Sequence, residues 1–209
     1  MGTVTDHYFS RTTQAADKPR TIGIHLAGRQ VDVTTNAGTF SPTRLDIGTK
    51  VLLDAVPAPP AGDLLDLGCG WGPISLHAAL TAREAGTDTR VWALDVNERA
   101  LGLTHTNAEA LGVGDLVRPV YAEEIPTDQR FDAIWSNPPI RVGKDVLHDL
   151  LRTWLPRLRP GGEAWMVVAK KLGADSLLTW TADMLGEGYT CRKEASSKGF
   201  RILVVRKEA

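Results

Sequence analysis

Residues 135–140 read WSNPPI and place an amide side chain directly before two prolines. The apolar run FDAIWS that leads into them is typical of a buried strand. Pro138 and Pro139 have no N–H donors and hold the backbone extended, which leaves the Asn137 side-chain oxygen and the Pro138 carbonyl as neighbouring acceptors. Two adjacent acceptors suit an NH2 group. Hydrogen bonds to both of its hydrogens favour a pyramidal nitrogen with its lone pair in line with an electrophile, so the stretch predicts chemistry on an amino nitrogen.

A second motif with chemical meaning is LLDLGCGWGPISL, residues 64–76. An apolar strand ends at Asp66, glycines then alternate with other residues, and Pro73 stands where a helix begins. Glycines let the backbone contact a ligand because no Cβ intervenes. The alternative is a plain turn between strand and helix. The spacing G-x-G-x-G differs from the dinucleotide pattern G-x-G-x-x-G, which argues against a nicotinamide enzyme.

The run RVWALDVNERA places Asp95 at the carboxyl end of the following strand. A carboxylate there can accept hydrogen bonds from both hydroxyls of a ribose. The alternative is that Asp95 caps the helix that begins near Glu98. Taken together, the two acid-tipped strands and the glycine turn predict a nucleoside site at the carboxyl edge of an α/β sheet.

The elements that position these residues alternate between strands and helices from Asp63 onward, which is the pattern of a parallel sheet. The predicted strands are DLLDLG, RVWALD, LVRPVY, FDAIWS and EAWMVVA, and the predicted helices span 74–85, 98–111 and 146–158. The closing run YTCRKEASSKGFRILVVRK predicts a terminal antiparallel pair added to the sheet.

The N-terminal part follows a different pattern. The alternation in TIGIHLAGRQVDVTT predicts a β-hairpin that turns at Gly28. A polar loop containing Phe40 leads to a short predicted helix over 49–55, and PAPPAG separates it from the rest. We therefore expect an N-terminal extension over residues 1–60 and a core domain over residues 61–209.

Composition and charge limit the function classes. The 209 residues suit one compact domain, and the formal net charge of -1 gives no overall sign of a nucleic-acid or membrane partner. Residues 61–140 hold 5 Lys/Arg against 12 Asp/Glu, whereas residues 141–209 hold 13 against 8. This asymmetry permits a polyanion on one side, although a solvated basic face explains it equally well.

Metals, disulfides and membranes are not expected. Two cysteines are too few for a disulfide framework and fit a reducing cytoplasm, and the five histidines show no paired spacing. No apolar stretch approaches the roughly 20 residues that cross a bilayer. We expect a cytoplasmic protein with no metal site and no membrane partner.

Together these motifs resemble class I S-adenosylmethionine-dependent methyltransferases, specifically the methyltransferase small group that includes ribosomal RNA guanine-N2 methyltransferases. The resemblance covers nearly the whole chain and rests on HYFS, FSPTRLDIGTKVLL, LDLGCGWGPISL, LDVNERAL, SNPPIRVGK, LRPGGEAWMV and KGFRILVV. The DLGCG turn indicates only the superfamily, whereas Asn-Pro-Pro is specific for methylation of exocyclic or amide nitrogens. The resemblance implies a Rossmann-like methyltransferase fold of the α/β class. Its sheet would be mostly parallel and seven-stranded, with helices on both faces, an antiparallel C-terminal strand and the N-terminal hairpin in front.

The resemblance also implies roles for individual residues. The cofactor would be S-adenosylmethionine. It would be bound by Asp66, Gly68, Cys69, Gly70, Gly72, Asp95, Val96, Glu123 and Asn137. Glu123 is the family's acidic residue near the adenine, although the adjacent Glu124 fits that position as well. Asn137, Pro138 and Pro139 would form the catalytic stretch that holds the target amine.

One position departs from the family pattern. Many relatives carry an aromatic residue after the two prolines that stacks on the target base, and Ile140 stands there in this chain. Phe40 is the candidate substitute, and a buried phenylalanine that seals the sheet edge is the alternative. Arg141 and Lys144 follow directly and suit phosphate contacts, or else form a solvated loop.

The function expected from the residues and the resemblance is methylation of the N2 amine of a guanosine in ribosomal RNA. Adenine N6 or a protein glutamine amide are alternatives within the same chemistry, and a non-methylating nucleoside-binding or NAD-binding protein is the alternative from another class. The expected partner is ribosomal RNA or a ribosomal particle, and the expected oligomeric state is a monomer.

Overall fold

The computed structural model describes residues 16–139 and 143–209. The first half of the chain forms β1 (Arg20–Leu26), β2 (Arg29–Thr35), α1 (Ile47–Leu53), β3 (Gly62–Leu67), α2 (Pro73–Ala85), β4 (Thr89–Leu94), α3 (Glu98–Ala110) and β5 (Val117–Val120). The second half forms β6 (Phe131–Ser136), α4 (Lys144–Trp154), β7 (Leu158–Ala169), α5 (Ala174–Leu185), β8 (Tyr189–Ser197) and β9 (Phe200–Lys207). Short 3₁₀ helices follow β5, α4 and β7, at Ala122–Glu124, Leu155–Arg157 and Lys170–Leu172.

A seven-stranded sheet with the order β5-β4-β3-β6-β7-β9-β8 forms the core, and β1 pairs with β2 in a separate antiparallel hairpin. Strands β3 to β7 are parallel, and β9 runs antiparallel to both β7 and β8. Hydrophobic clusters cover both faces of the sheet. This architecture confirms the predicted Rossmann-like methyltransferase fold.

The terminal antiparallel pair does not add to the sheet in chain order. Strand β9 lies inside, between β7 and β8, and β8 forms the edge. The four central residues of β9, at positions 202–205, are buried, whereas most residues of β8 are exposed. The more apolar strand therefore takes the inner position, where both of its faces are covered.

Two helices differ from the sequence prediction. Helix α4 ends at Trp154, not at residue 158, because the chain tightens into a 3₁₀ turn containing Pro156 and enters β7 at Leu158. Helix α5 was not predicted. Its ends are marked by Gly173 and Gly186, both with positive φ, and its buried residues recur with helical spacing.

The direction in which successive strands extend the sheet reverses between β3 and β6, which makes this pair the topological switch point. Strands β4 and β5 extend the sheet to one side of β3, whereas β6 and β7 extend it to the other. In the register, Asp66 lies opposite Trp135, and the Ser136 hydroxyl donates to the Leu67 carbonyl at 2.7 Å. The glycine turn after β3 and the Asn-Pro-Pro stretch after β6 therefore emerge side by side, at the place where open α/β sheets bind ligands.

Asn107 on α3 attaches the hairpin to the core. Its Oδ1 accepts the Thr34 N–H at 2.7 Å, and its Nδ2 donates to the Thr34 carbonyl at 2.9 Å and to the Trp71 carbonyl at 3.0 Å. The side chain is only 1% exposed. The apolar face of the hairpin shares one hydrophobic cluster with α1, α2 and the sheet. The domain boundary near residue 60 stays a prediction.

Replacing Asn107 with leucine leaves the Thr34 amide and carbonyl and the Trp71 carbonyl without their partner in a buried site. We expect the free energy of unfolding to fall by at least about 2 kcal/mol, because each unsatisfied buried polar group costs about 1–3 kcal/mol. Urea unfolding measures the change. Thr106→Ala, at the exposed neighbouring position, is the control and is expected to stay within about 0.5 kcal/mol of wild type. Equal stabilities of the two variants would contradict this role of Asn107.

Candidate functional site

A cavity of about 700 Å³ opens at the carboxyl edge of the sheet. Its wall is built by the ends of β3, β4, β6 and β7, by the loop between β2 and α1, and by one face of α4. The predicted site residues that line it are Phe40, Gly68, Gly70, Asp95, Val96, Asn137, Pro138 and Pro139. Asp66, Cys69, Gly72, Glu123 and Lys144 do not line this cavity, and Ile140 and Arg141 lie outside the described residues.

The glycine turn divides into two roles. Gly68 and Gly70 have positive φ of 85° and 59°, and a Cβ built on either would meet no atom within 4 Å, so their backbones border open space. A Cβ on Gly72 would instead lie 3.0 Å from Thr104 Oγ1. The first two glycines therefore give a ligand access to the backbone, and the third lets the turn pack closely against α3.

Cys69 faces the protein interior. Its Sγ lies 3.6 Å from Thr104 Oγ1, and burial raises the pKa of the thiol. A thiol in this environment is a small packing group and not an activated nucleophile.

Asp66 is fully buried beneath the turn. Its Oδ2 accepts the Ser75 N–H at 2.9 Å and the Ser75 hydroxyl at 2.6 Å, and Oδ1 has no hydrogen-bond partner within residues 16–139 and 143–209. Burial raises the pKa of this carboxyl to about 7, and the Ser75 hydrogen bonds oppose that shift. Asp66 therefore links the end of β3 to the first turn of α2. Its predicted contact with the cofactor stays a prediction.

Asp95 connects the glycine turn to the start of α3. Its Oδ2 accepts the Gly70 N–H and its Oδ1 accepts the Asn97 N–H, both at 2.9 Å. Burial raises the pKa of Asp95, and these backbone bonds oppose the shift. The side chain that caps α3 is Asn97, which accepts the Arg99 N–H at 2.9 Å, so the alternative of Asp95 as the helix cap is wrong. Asp95 stays the predicted ribose ligand.

The amide of Asn137 is held by the first turn of α1. Its Nδ2 donates to Asp46 Oδ2 at 3.0 Å and to Thr49 Oγ1 at 2.9 Å. No donor from the described part of the chain is recorded for its Oδ1, which leaves an acceptor for the cavity that Asn137 lines. Sequence reasoning missed both partners. The D-x-x-T spacing in LDIGTK was the available signal, because it is typical of an N-cap.

The loop between β2 and α1 covers one side of the cavity. Asn97 Nδ2 donates to the Gly38 carbonyl at 3.2 Å, and Arg99 donates to the Ala37 carbonyl at 2.6 Å, so the start of α3 anchors the loop. Phe40 is 46% exposed, which makes the alternative of a buried phenylalanine wrong. Phe200, at the start of β9, and Trp154, on α4, are further aromatic residues in the wall and were not predicted.

The remaining predicted residues lie around this cavity. Glu123 is exposed on the 3₁₀ helix after β5, next to Ala122, which lines the cavity. The neighbouring Glu124 accepts the Tyr121 N–H at 2.7 Å, and the assignment of Glu123 to the adenine side stays a prediction. Lys144 is exposed at the start of α4, and Lys171 is the cavity-lining lysine in the described chain.

Within the same described ranges, no cluster of metal-ligating side chains is present and no histidine lines the cavity. No helix there is both long enough and apolar enough to span a bilayer. The site therefore consists of glycine backbone, carboxylates that hold loops, one oriented amide and apolar walls.

Comparison with known proteins connects this site to one family. Residues 30–204 match the family described as methyltransferase small domain. The Bacillus subtilis (strain 168) protein YbxB is 32% identical over 209 residues, which cover 98% of this chain and 100% of YbxB. Ribosomal RNA small subunit methyltransferase C from Acinetobacter baumannii (strain AYE) is 30% identical over 192 residues, which cover 88% of this chain and 53% of that protein. The chain thus spans about half the length of this second relative.

Solved structures share the fold. A T. thermophilus 16S rRNA N2 G1207 methyltransferase (RsmC), in complex with AdoMet and guanosine, superposes with a TM-score of 0.75 at 22% identity and covers 94% of this chain and 52% of its own. A methyltransferase from Pyrococcus furiosus superposes with a TM-score of 0.59 at 23% identity and covers 78% of this chain and 83% of its own.

The raised pKa of Asp66 makes a prediction about pH. The folded protein keeps the Asp66 proton up to about pH 7, whereas the unfolded chain loses it near the ordinary value of 3.8. The contribution of Asp66 to stability therefore declines as pH rises from about 4 to about 7. Asp66→Asn cannot titrate, so its stability relative to wild type is expected to increase between pH 5 and pH 8. Urea unfolding at several pH values measures this difference, and a constant difference would show that Asp66 does not titrate in this range.

Proposed function

Since the chain belongs to the methyltransferase small domain family, we propose that it transfers a methyl group from S-adenosylmethionine to the exocyclic N2 amine of a guanosine in ribosomal RNA. The observation that carries the proposal is the Asn137 amide, whose nitrogen is bound to α1 and whose oxygen is left for the cavity. An acceptor in that position suits the hydrogens of an amino group. The alternative of a non-methylating nucleoside-binding or NAD-binding protein is wrong, because the family is one of methyltransferases.

The residues at the carboxyl edge fit S-adenosylmethionine, which supplies a methyl group on a positively charged sulfur when bound. Gly68 and Gly70 present backbone with open space where side chains would be. The Asp95 carboxylate lines the same cavity, and its oxygens keep acceptor capacity beside the backbone hydrogen bonds that they accept. These residues would hold the methionine and ribose parts, and Val96 and Ala122 would adjoin the adenine.

The chain contributes orientation to the reaction. Asn137 Oδ1 accepts one hydrogen of the target amine, and the Pro138 carbonyl accepts the other, which directs the nitrogen lone pair. Apolar side chains in the wall, including Leu150, Trp154 and Leu172, keep water from the reacting atoms. The target nitrogen gains the methyl group and the positive charge that the sulfur loses, and it then releases one proton to solvent, so the chain need not supply a tuned general base.

Several observations support a guanosine in RNA as the substrate. The A. baumannii relative is a ribosomal RNA methyltransferase, and the T. thermophilus neighbour is an rRNA N2 methyltransferase in complex with guanosine. The exposed ring of Phe40 offers a stacking surface for a base, and Lys171 offers a charge for phosphate. The proposal places the protein in the cytoplasm as a monomer that acts on ribosomal RNA or a ribosomal particle.

Mass mapping of ribosomal RNA from cells with and without this gene tests the proposal. We expect one methyl group to be missing from a guanosine in cells without the gene, and to return when the wild-type gene is restored. Loss of a methyl group from an adenine instead would show that adenine N6, and not guanine N2, is the methylated nitrogen. An unchanged RNA map with a methyl missing from a glutamine side chain would overturn RNA as the substrate.

Replacing Asn137 with alanine separates catalysis from structure. We expect methyl transfer to fall on the order of 100-fold or more, the scale for loss of one preorganised polar contact, while S-adenosylhomocysteine affinity stays near wild type and the melting temperature falls by roughly a few degrees through loss of the bonds to Asp46 and Thr49. Single-turnover transfer to ribosomal RNA from cells lacking the gene, calorimetric titration and thermal unfolding measure the three quantities. If Asn137 only stabilises the turn, all three decline together, and full activity would exclude the amide from catalysis.

A further inference from the structure

We propose that Asp46 and Thr49 are positioning residues that fix the Asn137 amide in the single orientation that selects an amino group over a carbonyl. The inference rests on the proposed function, since it explains how the site recognises an amine. It concerns the N-cap residue of α1 and a residue in its first turn, which lie 91 and 88 positions away from Asn137 in the chain.

The chemistry of the partners determines which amide atom faces α1. A hydroxyl such as that of Thr49 can donate or accept, so alone it would tolerate either orientation of the amide. The Asp46 carboxylate only accepts when ionised, so the atom 3.0 Å from its Oδ2 is the amide nitrogen. An amide turned by 180° would place two oxygens against each other. Asp46 therefore determines that the amide nitrogen of Asn137 faces α1 and that its oxygen faces away.

Both amide hydrogens are used on the α1 side. A primary amide has two N–H donors, and Nδ2 has two acceptors, one from Asp46 and one from Thr49. Neither hydrogen is left to face the cavity, so Asn137 presents only an acceptor there. Guanine carries both an amine and a carbonyl on its Watson–Crick edge, and this acceptor favours the amine and disfavours the carbonyl oxygen.

The position of Asp46 is itself fixed. The same Oδ2 accepts the Thr49 N–H at 3.1 Å, and the Asp46 carbonyl accepts the Lys50 N–H at 2.9 Å. A Cβ on Gly48 would lie 2.9 Å from Asp46 Oδ2 and 2.9 Å from Phe200 Cε1, so this turn has no space for a larger residue. Thr49 is only 2% exposed. The two acceptors are thus held rigidly before any substrate binds.

The competing explanation is that Asp46 serves only as the N-cap of α1. Capping requires the bond to the Thr49 N–H and nothing more. Capping does not require the bond between Asp46 and Asn137, which joins the start of α1 to the stretch that follows β6.

Two pairs of variants separate these roles. Asp46→Ser keeps a good N-cap, but its shorter side chain cannot reach Asn137, whereas Asp46→Asn keeps an acceptor because the Thr49 N–H holds the new amide oxygen in place. Thr49→Val removes the hydroxyl, and Thr49→Ser keeps it. We expect the single-turnover rate on ribosomal RNA from cells lacking the gene to fall about tenfold or more in Asp46→Ser and Thr49→Val. The rate is expected to stay near wild type in Asp46→Asn and Thr49→Ser.

A double-mutant cycle tests whether Asp46 acts through Asn137. Adding Asp46→Ser to Asn137→Ala is expected to cause no further loss of rate, because the group being positioned is already absent. Asp54→Ala, at the exposed far end of α1, is the control and is expected to have the wild-type rate. A further loss of rate in the double variant would overturn the positioning role. So would an Asp46→Ser variant whose melting temperature and S-adenosylhomocysteine affinity fall together with its rate.

A measurement without activity distinguishes failure of this inference from failure of the proposed function. The side-chain NH2 resonances of Asn137, assigned by their loss in Asn137→Ala, are expected to exchange slowly with solvent in wild type and faster in Asp46→Ser and Thr49→Val. If wild type methylates no RNA but shows this pattern, the proposed substrate is wrong and the positioned amide stands. If wild type is active and exchange and rate are unchanged in both variants, the positioning role alone is wrong.

Discussion

The parallel pairing of β3 with β6 is the constraint on which the rest of the site depends. These strands are neighbours in the sheet although β4, β5, two α-helices and one 3₁₀ helix lie between them in the chain. Their pairing brings the glycine turn and the Asn-Pro-Pro stretch to one edge, and the bond from Ser136 to the Leu67 carbonyl holds the two strand ends in register. Two other walls of the cavity are held by hydrogen bonds: the loop after β2 is bonded to the start of α3, and the start of α1 is bonded to Asn137 just after β6.

The carboxylates of the site hold backbone in place more than they present charge. Asp46, Asp66 and Asp95 each accept at least one main-chain N–H from a turn at the cavity or at the start of a helix. Such bonds are strongest when the acceptor is ionised, yet burial disfavours the ionised form and raises the pKa of Asp66 and Asp95. The raised pKa of these carboxyl groups is compatible with a site that orients its substrate, because no step of the proposed reaction requires them to exchange protons.

Much of this arrangement was predictable from local patterns. The strand ends follow from hydrophobic periodicity, and the glycine turn, Asp95 and Asn137 follow because each stands directly after a predicted strand. The sequence did not show that Gly68 and Gly70 border open space whereas Gly72 packs against the protein. Whether Gly72 faces a ligand or Thr104 depends on how α3 packs. Asp46 and Thr49 were missed for a similar reason. An N-cap is visible in sequence, but its second bond to a residue 91 positions away exists only once the sheet is assembled.

The placement of β9 inside the sheet has a consequence for synthesis. Strand β9 pairs with β7 and supplies Phe200 to the cavity wall, and the Phe200 ring approaches Gly48 at the first turn of α1. A nascent chain that has emerged only through β8 lacks both this wall and the partner that joins β8 to the sheet. The site therefore forms late, after translation of β9, and truncated products of interrupted translation carry the glycine turn and the Asn-Pro-Pro stretch without a completed cavity.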